Sequence, residues 1–220
     1  SEIEPFPIRV TTKRLPEVKH YGDVSKLKGS EIEPVDIVTF GSPCQDMSIA
    51  GRRAGLDGSR SNLFYEAVRV IKEMREATNG RYPRWAVWEN VPGAFSSNKG
   101  EDFRCVLEQI SRIKEADFSV PECKKWLTAG KIVGDGFSVA WRVFDAQFWG
   151  VPQRRKRIYL VADLAGESAG KILFESEGVS GYSAESFRAW QRAAGGAADS
   201  IGASGIGVGS EEHTSELQSL

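Results

Sequence analysis

Short apolar runs alternate along this chain with longer segments of helical period, and that alternation restricts what it can fold into. "VDIVTF" (35–40) is a buried strand. "SNLFYEAVRVIKEMREATNG" (61–80) is an amphipathic helix with Leu63, Ala67, Val70, Ile71 and Met74 on one stripe, Ser61 as N-cap and Gly80 as its end. "RWAVWENV" (84–91) is the next strand, and "EDFRCVLEQISRIK" (101–114) the next helix, turning Phe103, Val106, Leu107, Ile110 and Ile113 inward. "FSVAWRVFDAQFWG" (137–150) and "RKRIYLVAD" (155–163) read as a final pair of strands. Near the amino terminus, a helix with Pro5 in its first turn should end before Pro16. Strands apolar on both sides need cover on both faces, so the expected fold is α/β with an open, mostly parallel sheet.

The bulk of the chain suits that class. Its 220 residues, 40% hydrophobic, make one globular domain or a domain and a half. No run of eighteen apolar residues occurs that would span a bilayer, and no secretory leader pattern is present. Cys44, Cys105 and Cys123 are scattered and never paired as CxxC, and only His20 and His213 could assist them, which argues against a disulfide framework and against a zinc site. A reducing cytosol is the expected compartment, and no metal is expected. Residues 1–166 carry 26 Lys/Arg against 22 Asp/Glu, whereas residues 167–220 carry 3 against 8. A mildly basic first part tolerates a polyanionic partner but is equally an ordinary solvated surface.

After Asp163 the pattern fades. "GASGIGVGS" is Gly-rich and without period, and residues 196–220 are expected to lack packed structure because few large apolar side chains offset the ordering entropy. The tail from 210 to 220, "SEEHTSELQS" onward, reads like a translated sequencing adaptor. With no initiator methionine at Ser1, the expectation is a fragment of a longer reading frame, with 196–220 unstructured.

Binding sites of open α/β sheets form outside the carboxyl ends of the strands. Three segments there carry unusual polar residues: "SPCQ" (42–45), "WENV" (88–91) and "PQRRKR" (152–157). Cys44 is either a small core residue or a nucleophile. Pro before it, Gln-Asp after it and the Gly-rich basic loop over 46–60 suit the second reading, since such a loop can approach a phosphate backbone. Glu89, between Trp88 and Asn90, is expected in apolar surroundings that favour a protonated acid able to meet a ring nitrogen; the alternative is a rim carboxylate paired with an arginine. Arg155 and Arg157 are two apart and share one face of a strand, which suits a phosphate or a base carbonyl, or simply a basic strand end.

Pro-Cys-Gln, Glu-Asn-Val and Gln-Arg-Arg-Lys-Arg, in this order on alternating strands, resemble the DNA cytosine carbon-5 methyltransferase family over roughly residues 1–165. The resemblance implies a Rossmann-like fold that uses S-adenosylmethionine, and double-stranded DNA as partner to a monomeric enzyme in the bacterial cytoplasm, host- or phage-encoded. It implies a partial catalytic domain over 1–165 and, over 166–195, the start of a region leading to a target-recognition domain. It implies cofactor contacts from Glu2 to the ribose, Ile3 beside the adenine, and Asp23 with Val24 at the adenine amine. Pro43, Asn62 and Leu63 complete that side. It implies Cys44 as the nucleophile, Glu89 facing ring nitrogen 3 and the amino group, Arg157 at carbonyl oxygen 2, and Arg155 in support. Gln45, Ser48, Asn90 and Val91 fall on the substrate side.

The chemistry behind these residue types is that cytosine carbon 5 is too poor a nucleophile to take a methyl group unaided. A thiolate added at carbon 6 makes it enamine-like. The base must leave the duplex to be reached, at about a few kcal/mol, and loop 46–60 is the element expected to close over it. In such a site the Cys44 sulfur and the Glu89 carboxylate should lie within roughly 5–9 Å. The family's Gly-rich first strand and its target-recognition region are not in the sequence. A tRNA cytosine-5 methyltransferase and a non-catalytic nucleic-acid-binding remnant are the competing readings. A dinucleotide oxidoreductase ranks last, for no GxGxxG occurs.

Overall fold

A computed structural model of the chain describes residues 1–42, 63–123, 125–150 and 152–174. Helix α1 (Pro5–Arg14) opens with proline in its first turn and buries no side chain. Strand β1 (Ile37–Gly41) follows, then helix α2 (Leu63–Ala77), strand β2 (Trp85–Asn90) and helix α3 (Glu101–Ser111). Strands β3 (Ala129–Gly134), β4 (Phe137–Asp145) and β5 (Lys156–Asp163) and helix α4 (Ala169–Phe174) complete the described elements. The residues expected to face inward do so on α2 and α3, except that Leu63 stays 45% exposed; the second helix ends at Ser111 and not at 114, which leaves Ile113 in the following turn and only partly buried. Ser61, the expected N-cap, lies outside the described residues.

The five strands form one open sheet in the order β1-β2-β5-β4-β3. Only β1 and β2 run parallel, with Gly41 across from Glu89; β2–β5, β5–β4 and β4–β3 are antiparallel. The α/β class stands, but the expectation of a mostly parallel sheet is corrected. The cause is local. β3 was not anticipated, and the Asp135-Gly136 turn joins it to β4 as a tight hairpin, with Gly136 at φ +67 where a Cβ would be strained. β5 then returns between β4 and β2, so everything past α3 is a meander and not a crossover.

Each face of the sheet has its own cover. Ala86, Trp88, Val139, Trp141, Ile158, Leu160 and Ala162 pack beneath α2 and α3 in the main core. Phe103 of α3 is its hub, with ring centroids 4.7 Å from Phe95, 5.1 Å from Trp126, 5.5 Å from Trp141 and 6.1 Å from Trp88. Trp85, Val87, Ala140, Val161 and Phe144 meet Ala169, Leu173 and Phe174 of α4 on the other face. Buried Arg75 ties the end of α2 to the carbonyls of Pro83 and Leu164, locking helix to sheet at the end away from the polar motifs.

By chain contacts the molecule divides into two units. The first, Ser1–Asp145 with Arg155–Val179, contains the whole sheet; the second, Ala146–Arg154 with Ser180–Leu220, contributes the short 3-10 turn Ala146–Trp149 to the described residues. No helix among the described residues is long and apolar enough to cross a membrane.

Candidate active site

The register of the sheet gathers the three polar motifs at one end. Gly41 closes β1 beside Glu89 on β2, and Glu89 lies across from Tyr159 on β5, with Arg157 two residues away on the same face. The Glu89 Oε1 atom is 3.0 Å from Arg157 Nε and 3.6 Å from the Arg155 guanidinium. These side chains are at least half-buried, the carboxylate 36% exposed and the Arg157 side chain 22%. Two guanidiniums on one face therefore converge on a single carboxylate, which is the arginine-paired alternative raised for Glu89.

The apolar surroundings expected for Glu89 from its neighbour Trp88 are corrected. Successive side chains of a strand point to opposite faces, so fully buried Trp88 belongs to the main core while Glu89 stands on the other side among cations. Gly41 lies directly against the acid: a Cβ there would stand in ordinary contact, 3.6 Å from Glu89 Oε2 and 3.4 Å from the Glu89 carbonyl oxygen.

The strand exits are pinned by buried polar groups. Asn90 is 4% exposed; its amide nitrogen donates to the Ser42 carbonyl at 2.9 Å and its Oδ1 accepts the Val91 N–H at 2.8 Å. The Trp88 indole N–H donates to Ser42 Oγ at 3.2 Å. At the other border, Asp145, 6% exposed, accepts the Arg155 N–H at 3.0 Å, fixing Arg155 just ahead of β5, the strand that carries Arg157. Gly41 and Asp145 were not singled out in the sequence. Gly41 directly precedes the SPCQ segment, whereas Asp145 stands seven residues before PQRRKR and carried no local signal.

The amino-terminal acids are arranged differently. Glu2 Oε1 accepts the N–H groups of Ile3 (2.8 Å) and Glu4 (3.0 Å), and the Glu4 and Ile3 amides hold its carboxyl below the usual range. Asp23 Oδ1 accepts the Ser25 hydroxyl (2.8 Å) and N–H (2.9 Å), which lower it likewise. Their hydrogen bonds run to chain neighbours and not to each other. Ile3 and Leu63 are exposed apolar side chains, and Arg69 of α2 donates to the Val24 carbonyl at 3.0 Å, so the Asp23–Val24 turn is seated on the helix that Leu63 begins. Pro43, Cys44, Gln45, Ser48 and Asn62, the loop over 46–60, and the Cys44–Glu89 distance lie outside the described residues.

A cavity of about 620 Å³ lined by Lys131, Ser138, Glu167, Lys171 and Phe174 lies at the opposite end of the sheet. Ser138 stands across from Asp163, whereas Phe144 stands across from Arg157.

Among known proteins, the family model described as C-5 cytosine-specific DNA methylase matches residues 1–187. The chain belongs to that family. Among relatives of this C-5 cytosine methylase chain, the type II methyltransferase M.NgoBV of Neisseria gonorrhoeae is 30% identical over 80% of this chain and 36% of its own length. A protein of Escherichia phage P1 named DNA N-6-adenine-methyltransferase is 37% identical over 81% of this chain but only 27% of its own length. The methylase chain thus spans about a third of the relatives it matches. The solved Dnmt2 methyltransferase of S. pombe shares the fold at a TM-score of 0.50, with 19% identity over 82% of this chain and 49% of that one.

Proposed function

We propose that the protein to which this chain belongs methylates carbon 5 of cytosine in DNA, using S-adenosylmethionine and a base swung out of the duplex. The observation that carries this reading is the convergence of Arg157 and Arg155 on Glu89 at the strand ends beside Gly41, three residues before Cys44.

In this reading the Cys44 thiolate forms a bond to carbon 6 while the C5=C6 electron pair moves to carbon 5. Glu89 faces nitrogen 3 and the amino group, where charge builds, and Arg157 faces carbonyl oxygen 2. The two guanidiniums hold the Glu89 carboxylate in one direction before the base arrives, so little reorganisation is needed at the moment of reaction. S-adenosylmethionine supplies an electrophilic methyl group. Once carbon 5 has been methylated, its proton leaves to water, the electron pair returns to the C5=C6 bond, and the S–C6 bond breaks to free the thiolate. Glu2 and Asp23, each keeping one oxygen free of the hydrogen bonds to its own segment, fit a ribose diol and an adenine amine, with Ile3 and Leu63 as apolar neighbours. Pro43, Val24 and Asn62 complete the cofactor side, and Gln45, Ser48 and Val91 the DNA side.

An adenine-N6 reaction, suggested by the name of the phage P1 relative, draws no support from these residues. An exocyclic amine attacks a methyl donor directly and needs neither a thiol at carbon 6 nor a guanidinium at oxygen 2. Labelled methyl transfer to DNA, followed by nucleoside separation, tests the reading. 5-Methylcytosine formation abolished by Cys44→Ser supports it; N6-methyladenine as product, or label entering only tRNA, overturns it.

A further inference from the structure

We propose that the cavity between β3 and α4 is a binding site for a small zwitterion, an α-amino acid with an apolar or aromatic side chain. It is separate from the cluster around Glu89. Along β4, Ser138 at the floor of the cavity and Phe144 across from Arg157 are six residues apart, about 20 Å in a strand.

Small residues make the room. A Cβ on Gly170 of α4 would stand 3.6 Å from the Lys131 Cδ atom and 3.6 Å from the Phe174 ring. Lys131 therefore reaches across the gap from the edge strand to the helix. Val133, two residues on, shares that face of β3 and stands across from Ser138. Ser138 is 1% exposed; its hydroxyl donates to the Gly166 carbonyl at 3.1 Å and accepts the Ala169 N–H at 3.2 Å, so the floor is tied to the start of the helix. The cavity of about 620 Å³ has the size of a small-molecule site.

Its lining carries three charges, Lys131, Glu167 and Lys171, all on exposed residues. Among the described residues none of them forms an ion pair. Elsewhere the molecule pairs its helix charges closely: Arg69 meets Glu66 and Glu73, and Arg104 meets Glu101 and Glu108. Two cations and one anion left open beside the apolar wall of Val133 and Phe174 match a ligand of the opposite pattern. Its carboxylate would face the lysines, its ammonium Glu167, and its apolar body the wall. A phosphate backbone fits worse, because Glu167 would repel it.

Amide chemical shifts of the isotope-labelled 220-residue chain, titrated with L-phenylalanine and with L-leucine, test this. Both should saturate at roughly millimolar concentration, because exposed charges attract weakly, and the shifted amides should be those of β3 and α4. N-Acetyl-L-phenylalanine lacks the ammonium and phenethylamine lacks the carboxylate, so each should bind about fivefold or more weakly than phenylalanine. Lys131→Met and Glu167→Gln, both surface changes, should weaken phenylalanine by about threefold or more. Glu167→Gln should not weaken N-acetyl-L-phenylalanine. Gly170→Leu fills the cavity and should abolish binding. No saturable binding of either amino acid, N-acetyl-L-phenylalanine binding as tightly as phenylalanine, or phenylalanine binding unchanged in Lys131→Met and Glu167→Gln would each overturn the proposal.

Discussion

Glu89 and Arg157 stand on neighbouring antiparallel strands, and the carboxylate oxygen lies 3.0 Å from the guanidinium Nε, with Arg155 approaching the same oxygen at 3.6 Å. The diagonal offset places both on the face that Gly41 shares. A partly exposed pair of this kind contributes little to folding, so its value lies in where it holds two charges.

Glu89→Gln and Arg157→Ala should therefore separate stability from activity. Urea unfolding should shift by no more than about 1 kcal/mol for either variant. On the proposed reading, methyl transfer to DNA by the full-length protein should fall by roughly 10²- to 10⁴-fold in Glu89→Gln, because the amide keeps the shape but would not manage the proton at nitrogen 3. Equal turnover by Glu89→Gln and the unsubstituted full-length protein would be incompatible with the proposed role.

Gly41→Val tests the contact with the acid. Its methyl groups would extend past the Cβ position already 3.6 Å from Glu89 Oε2 and push the carboxylate off Arg157. The expected result is a kcat reduced by about tenfold or more with a KM for DNA near its original value, as when a reacting group is misplaced. A lower affinity for DNA with unchanged kcat would place Gly41 in binding instead.

Asp163 should set part of the acid limb of stability. Burial raises its carboxyl, but the Ser168 hydroxyl, Arg84 and the Ala165 and Ser168 amides outweigh burial and leave it below the ordinary value of 3.8. A lowered folded-state value means stabilisation fully present above the unfolded value and lost as pH falls below 3.8 through the depressed one. Asp163→Ala should cost roughly 1–3 kcal/mol at neutral pH, since it strands the Ala165 and Ser168 donors around a buried site while Arg84 keeps access to water, and should flatten the stability profile in that acid window. Urea midpoints measured from pH 2 to 7 would show an unchanged slope if Asp163 plays no such part.

Cys105 should be the least reactive of the three thiols. Burial raises its value, and the Tyr65 hydroxyl 3.1 Å away lowers it only in part. Below pH 8 it should alkylate more slowly than Cys44 and Cys123 in the native chain, by about tenfold or more, and at a comparable rate in denaturant. Rapid native labelling of Cys105 would contradict the packing of α3 against α2.

What the sequence determined by itself was local or chemically distinctive. The stripes of α2 and α3 were legible because 3.6-residue periodicity is imposed within one segment, and β1, β2, β4 and β5 because short apolar runs bounded by turns have few other uses. Of the polar motifs, the meeting of Glu89 with Arg155 and Arg157 at the strand ends was legible, because charges placed there need partners; Cys44 lies outside the described residues. The β3–β4 hairpin was signalled by Asp135-Gly136, yet the strand ahead of it, Ala129–Gly134, has only two large apolar residues and gave no strong pattern. Strand order, strand sense and register belonged to the tertiary structure, since pairing joins residues as far apart as Glu89 and Tyr159, and nothing within either segment specifies its partner. Register in turn decided the company each side chain keeps: Trp88 and Glu89 are adjacent in the chain, but the two-residue period of a strand sends one into the core and the other to the arginines.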